Sequence, residues 1–257
     1  MDNKLQIKQI IINGLAINYY YNQSIQKNHK ILVFLHGWGA DSRSWQPIIN
    51  LLIDQNHSVY LIDFPGFGQS QLPNGHFTLD NYAEVVDQFI TKVGLNNIIL
   101  VGHSFGGRVA IKLASKHVSY IKKLILVDSA GIEKKSRLIK LKIVIAKVLK
   151  PIFQPKIMQG LRKKIYSLIR AGEYLAIPEL SKIFGTVTGE DLTPILDKIN
   201  LPTLIIWGEQ DQTTPIKDAQ LIQKQIKNSQ LEIIKDAGHF SFIDQPEKFI
   251  NKLMKFI

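Results

Sequence analysis

Short runs of apolar, β-branched residues alternate along the chain with segments whose apolar positions recur every three or four residues. The runs Ile31–Leu35, Val59–Ile62, Ile98–Val101, Leu124–Val127, Thr203–Trp207 and Leu231–Ile234 predict strands. Helical spacing falls on Ser44–Ile53, Leu79–Val93, Phe105–Lys116, Pro215–Ile226 and Pro246–Phe256. Strands that are apolar throughout are buried on both faces. Their alternation with helices therefore predicts an α/β architecture, a mostly parallel sheet covered on two sides. Around Asn13-Gly14, the stretches LQIKQIII and LAINYYY predict an antiparallel hairpin at the sheet edge.

One interval breaks the alternation. Leu138, Leu141, Ile145 and Val148 share a helical stripe with Lys140, Lys147 and Lys150 around the other side. Ile157, Leu161, Ile165 and Leu168 repeat the arrangement against Lys156, Lys163 and Arg170, and Pro151 and Pro155 separate the two. The expected organisation is a core made of 1–130 and 189–257, with a basic helical cap at 131–188 inserted between strands. The cap's apolar stripes are expected to line a pocket.

Charge sharpens this division. The chain of 257 residues carries 32 Lys/Arg and 21 Asp/Glu, a net charge of +11. Between Gly131 and Gly185 there are 13 basic residues and three acids, so one segment holds almost all of the excess. A uniform nucleic-acid-binding coat is not expected from that distribution; the basic side of the cap reads either as a solvated charged face or as one that meets an acidic protein partner or an anionic surface. The absence of cysteine excludes disulfides, thiolate metal sites and a cysteine nucleophile. No secretory apolar region follows Met1, and no apolar run approaches the ~18 residues of a membrane span, so the expected location is cytoplasmic.

The chemistry centres on Gly102-His103-Ser104-Phe105-Gly106-Gly107, which follows one predicted strand and opens a helix. In that context G-x-S-x-G forms a sharp turn that lifts the serine hydroxyl to the carboxyl edge of the sheet. A serine nucleophile needs a base, and the base needs a partner to fix its tautomer. Asp211 and His239 follow later strands in the order this turn motif requires, at the same edge of a parallel sheet. Asp128, which ends another strand, is the alternative partner. His29, His57, His76 and His117 lack such a context and read as structural or surface residues.

Oxyanion donors are expected from the backbone N–H groups of Phe105 and of Trp38, the latter in the turn His36-Gly37-Trp38-Gly39. His36, Gly37 and His103 flank these groups and are candidates to line the substrate pocket. Two other glycine loops imitate dinucleotide fingerprints, but the third glycine is replaced by Ser42 in one and Gln71 in the other. No metal-ligand spacing is present, so no metal is expected.

Taken together, H-G-W-G at 36–39, D-F-P-G-F-G-Q-S at 63–70, G-H-S-F-G-G at 102–107, W-G-E-Q-D at 207–211 and G-H at 238–239 resemble the α/β-hydrolase superfamily. The resemblance implies an eight-stranded sheet, a helical cap after the sixth strand, a covalent acyl-enzyme and no cofactor. It is similar to serine carboxylesterases, since Ser104 stands where related dehalogenases and epoxide hydrolases carry aspartate. The expectation is therefore a serine hydrolase of small apolar esters. The H-G-W-G loop and basic cap are also similar to esterases acting on pimeloyl groups bound to a carrier protein, which makes carrier-bound esters or thioesters an alternative. A carbon–carbon bond hydrolase, a non-catalytic receptor and a membrane-surface protein remain as further readings.

Overall fold

The computed structural model describes residues 4–26, 29–132 and 178–257. The two predicted cap helices, at 138–148 and 157–168, lie outside the described residues.

Eight strands form one sheet in the order β1-β2-β4-β3-β5-β6-β7-β8. They span Gln6–Ile12 (β1), Leu15–Asn22 (β2), Ile31–Leu35 (β3), Ser58–Ile62 (β4), Ile98–His103 (β5), Ile121–Val127 (β6), Thr203–Gly208 (β7) and Ser229–Ile234 (β8). The β1–β2 hairpin is antiparallel, and β2 pairs antiparallel with β4; every other pairing is parallel. Among the described residues the helices are α1 (Gln46–Asp54), α2 (Leu79–Val93), α3 (Phe105–Ala114), α4 (Pro178–Thr188), α5 (Ile216–Gln225), α6 (Ser241–Asp244) and α7 (Pro246–Phe256).

Alternation along each central strand divides the core in two. Val33 and Leu35, Ile98 and Leu100, Leu124 and Leu126 face α2 and α3. Leu32 and Phe34, Ile99 and Val101, Ile125 and Val127 face α1, α6 and α7. Both sets are buried, which is why these strands read as unbroken apolar runs.

Most expected elements form, with informative differences at their ends. The helix expected from Ser44 begins as a 3-10 turn at Ser42–Trp45, and α1 starts only at Gln46, with Pro47 in its first turn. Proline lacks an N–H to donate but is accommodated where that donor has no intrahelical acceptor. Strand β5 runs on through Gly102 and His103, which pair with Leu126 and Val127. Neither residue is a β-branched apolar, so periodicity ended the strand too early. Helix α4 falls within the interval assigned to the cap, and its Leu180, Ile183 and Val187 join the α2/α3-side core.

The chain leaves and returns to the sheet at one place. The Leu192 N–H donates to the Gly131 carbonyl at 2.9 Å. Arg108 donates to the Glu190 carbonyl, and Lys112 bridges Glu190 at 2.6 Å and Asp80 at 3.1 Å. Two residues of α3 thus hold the returning segment against α2.

Near the carboxyl edge, fully buried Trp45 stacks on Phe242 at 4.1 Å and tilts against Phe34 at 5.1 Å. This contact fixes the 3-10 turn to α6, the short helix just after His239. Trp45→Ala is expected to cost ~3–5 kcal/mol in urea unfolding, the usual range for removing a buried aromatic ring. A loss below ~1 kcal/mol would show that this contact does not hold the two segments together.

Candidate active site

Ser104 joins β5 to α3 with φ 50 and ψ −110, a conformation an L-residue adopts only when its surroundings impose it. Close packing on either side imposes it. A Cβ on Gly102 would lie 2.4 Å from the Gly106 carbonyl oxygen, and one on Gly106 would lie 2.3 Å from that of Leu35. Helix α3 therefore approaches β3 backbone to backbone, and the serine projects from the turn between them.

Three of the expected groups meet there. His239 Nε2 is 3.0 Å from Ser104 Oγ, and His239 Nδ1 is 2.8 Å from Asp211 Oδ2. An ionised Asp211 only accepts, so Nδ1 carries the proton and Nε2 presents its lone pair to the serine hydroxyl. Burial alone would raise the Asp211 titration. The hydrogen bonds from His239 and Thr214 outweigh it and hold the carboxyl below its usual range. Asp211 Oδ1 accepts from the N–H groups of Thr213 and Thr214 at 2.8 and 2.9 Å, and Oδ2 accepts from Thr214 Oγ1 at 2.6 Å.

Thr214 was not singled out by sequence reasoning, although Asp211-Gln212-Thr213-Thr214 has the pattern of a turn closed by an aspartate side chain. Its hydroxyl touches Asp211 Oδ2, the Asp128 carbonyl (3.1 Å) and His239 Nδ1 (3.2 Å). Its own carbonyl accepts from Trp207 Nε1 at 2.7 Å, anchoring the loop in the core.

The N–H groups of Phe105 and Trp38 flank Ser104, one opening α3 and the other in the turn after β3. Among the described residues, neither N–H has an acceptor. The Trp38 ring packs edge-on against Phe67 (4.8 Å) and Phe105 (5.2 Å) and tilts on Phe184 (5.3 Å). Phe67 and Phe105 are buried in the core against Trp38, whose ring is only partly buried, and Phe184 is exposed beside it.

The expectation that His36 and His103 line the pocket is corrected by their burial, at 0% and 1% exposure. His36 Nε2 accepts from the Phe64 N–H at 3.0 Å, and Nδ1 donates to the Gly37 carbonyl at 2.8 Å, which ties the loops after β3 and β4. His103 Nε2 donates to the His239 carbonyl at 2.7 Å. Burial, then repulsion from His239, pushes the His103 titration down to about 3, so the ring stays neutral. Gly37 packs against it: a Cβ there would lie 2.8 Å from His103 Nδ1. All three residues support the site from beneath.

Asp128 does not contact His239 Nδ1, which Asp211 occupies. It is fully buried and instead accepts from the Gly208 N–H (2.7 Å), the Ser241 N–H (3.2 Å) and Ser241 Oγ (2.6 Å). One carboxyl thus joins the ends of β6 and β7 to the helix that follows His239. Among the described residues, no cluster of three His, Asp or Glu could hold a metal ion.

Burial raises the Asp128 titration to about 7 despite these donors, whereas in an unfolded chain it lies at about 4. The folded state therefore holds the proton more tightly. The stability this contributes is full below about pH 4 and is lost as pH rises through about 7. In Asp128→Asn the amide oxygen can accept from Gly208 and the amide can donate to Ser241 Oγ; only the longer bond from the Ser241 N–H loses its acceptor, so the fold is expected to survive. Urea unfolding should show the wild type losing stability relative to Asp128→Asn between pH 5 and pH 8. Parallel pH profiles would contradict the assignment.

Comparison with known proteins agrees with this architecture. A family profile described as the alpha/beta hydrolase fold matches residues 30–154 and 162–246. Monoacylglycerol lipase ABHD6 of Bos taurus is 30% identical, over 95% of this chain and 82% of the relative. A pimeloyl-[acyl-carrier protein] methyl ester esterase of Vibrio vulnificus is 27% identical, over 88% and 93%. The solved structure of an esterase from Exiguobacterium antarcticum superposes with a TM-score of 0.77 at 23% identity, covering 95% of this chain and 96% of that one. That last likeness concerns the fold alone. The extent of the profile match, on a sheet of this topology, establishes that the chain belongs to the α/β-hydrolase fold family.

Proposed function

We propose that the protein is a serine hydrolase that cleaves carboxylic esters of apolar acyl groups through an acyl-enzyme. The observation that carries this reading is the continuous hydrogen-bonded chain from Asp211 through His239 to Ser104. Lipase and esterase relatives support it.

Ser104 Oγ attacks the acyl carbon while His239 Nε2 takes its proton. Asp211 holds the imidazole in the Nδ1–H tautomer and stabilises the imidazolium that forms. The N–H groups of Phe105 and Trp38 receive the developing oxyanion; donors set in place beforehand are worth ~10²–10³ in rate each. The imidazolium then protonates the leaving alkoxide. A water molecule, deprotonated by the same nitrogen, releases the acid and restores Ser104. The accessible rings of Trp38 and Phe184 favour an apolar acyl chain.

Hydrolysis of p-nitrophenyl esters from acetate to laurate is the direct test. Activity is expected to peak at one chain length and to fall at least ~10³-fold in Ser104→Ala. A variant that retained wild-type rates would remove Ser104 from the reaction, and equal rates for polar and apolar acyl groups would remove the apolar pocket.

A second reading, the same chemistry on an acyl group borne by an acidic carrier protein, is favoured by the charge of the segment from Gly131 to Gly185. The carrier-protein esterase relative points the same way. It predicts that raising salt from 0.05 to about 0.5 M lowers activity on a carrier-bound ester several-fold while sparing p-nitrophenyl esters. Equal salt sensitivity of the two substrates would contradict it.

A further inference from the structure

At the sheet edge opposite Ser104, where the parallel strands begin, a cleft of about 420 Å³ opens beside the C-terminal end of α2. Lys8, His29, Lys92 and the rings of Tyr19, Tyr21 and Tyr60 line it, and among the described residues no Asp or Glu does. Lys8 and Lys92 meet no carboxylate among the described residues.

Each basic group is held in place. Lys92 Nζ donates to the Ile11 carbonyl at 2.9 Å, and Lys8 Nζ lies 5.0 Å over the Tyr21 ring. Tyr21 in turn stacks on Tyr60 at 5.8 Å. His29 Nδ1 donates to the Gln26 carbonyl at 2.5 Å, which leaves Nε2 for another partner. Burial raises the Tyr19 and Tyr60 phenols above their usual range, so both remain neutral O–H donors. The positive potential extends to a neighbouring group: burial first, then Lys30 and His29, hold His57 below its usual range.

Two ammonium groups and an imidazole match a dianion better than a monoanion, since each added charge finds its own partner. Ile10, Ile31, Val93 and Leu95 supply apolar surface beside them. The volume lies within the range of small-molecule sites. We propose that this cleft binds the phosphate group of a small phosphate monoester carried on an apolar or aromatic body, at a site separate from Ser104. The site does not depend on the ester-hydrolase reading.

Titration calorimetry of the full chain at low ionic strength, with phenyl phosphate as the probe, tests the proposal. A dissociation constant of about 1 mM or tighter is expected. Benzoate, with the same ring and one charge, should bind at least tenfold more weakly, as should inorganic phosphate, which lacks the ring. The double variant Lys8→Gln/Lys92→Gln should lose at least tenfold in affinity, with its circular dichroism and p-nitrophenyl esterase rate unchanged. The proposal is overturned by the absence of saturable heat up to about 10 mM. It is equally overturned if the double variant binds as well as the wild type, or if either control probe binds as tightly as phenyl phosphate.

Discussion

The close backbone approach of α3 to the end of β5 and to β3 is the constraint from which the site follows. It requires glycine on both sides of Ser104, since a Cβ at Gly102 or Gly106 would fall within 2.4 Å of a carbonyl oxygen. It forces the positive φ at Ser104, and it brings the N–H that opens α3 beside the turn carrying Trp38. Strain of this kind costs on the order of 1–3 kcal/mol and persists only where the surrounding packing over-determines it. Here that packing is a central strand pairing on both sides, with β3 and β6, and buried along its length.

A positioned serine is of no use unless the base and acid loops arrive in register with it. Three contacts below the imidazole secure this. His103 holds the His239 carbonyl, Thr214 links the acid loop to His239 and to the Asp128 backbone, and the Asp128 carboxyl joins β7 to Ser241. Each of these polar groups is buried, where an unmatched donor or acceptor is costly, so each loop has a narrow range of acceptable positions. The neutral His103 and the ionised Asp211 illustrate opposite outcomes of burial. A ring meeting a carbonyl and a second imidazole loses its charge, while the Asp211 carboxyl, paired with His239 and Thr214, keeps it.

Much of this was legible in the sequence because the residues concerned obey local rules. The buried strands announce themselves as runs such as ILVFL, and α2 and α7 match the predicted Leu79–Val93 and Pro246–Phe256. The G-x-S-x-G turn, Asp211 and His239 are recognisable because the chemistry dictates both residue type and order along the chain. What was not legible depends on contacts between distant segments. Nothing local distinguishes a histidine that lines a pocket from one, such as His36, whose nitrogens are both engaged by backbone groups 28 residues apart or adjacent. Asp128 could be weighed as a partner for the base, but its true contacts, with Gly208 and Ser241, lie 80 and 113 residues away. Helix α6 is only four residues long and is set by its packing on Trp45, so it leaves no periodic signature.

The central claim is that Ser104 is made nucleophilic by His239 and Asp211. Mass spectrometry of the protein treated with a fluorophosphonate tests it without assuming a substrate. The account predicts a single stoichiometric adduct on the peptide containing Ser104, absent in Ser104→Ala and slowed at least ~10²-fold in His239→Ala. An adduct on another residue, or labelling of Ser104 at the same rate without His239, would contradict it.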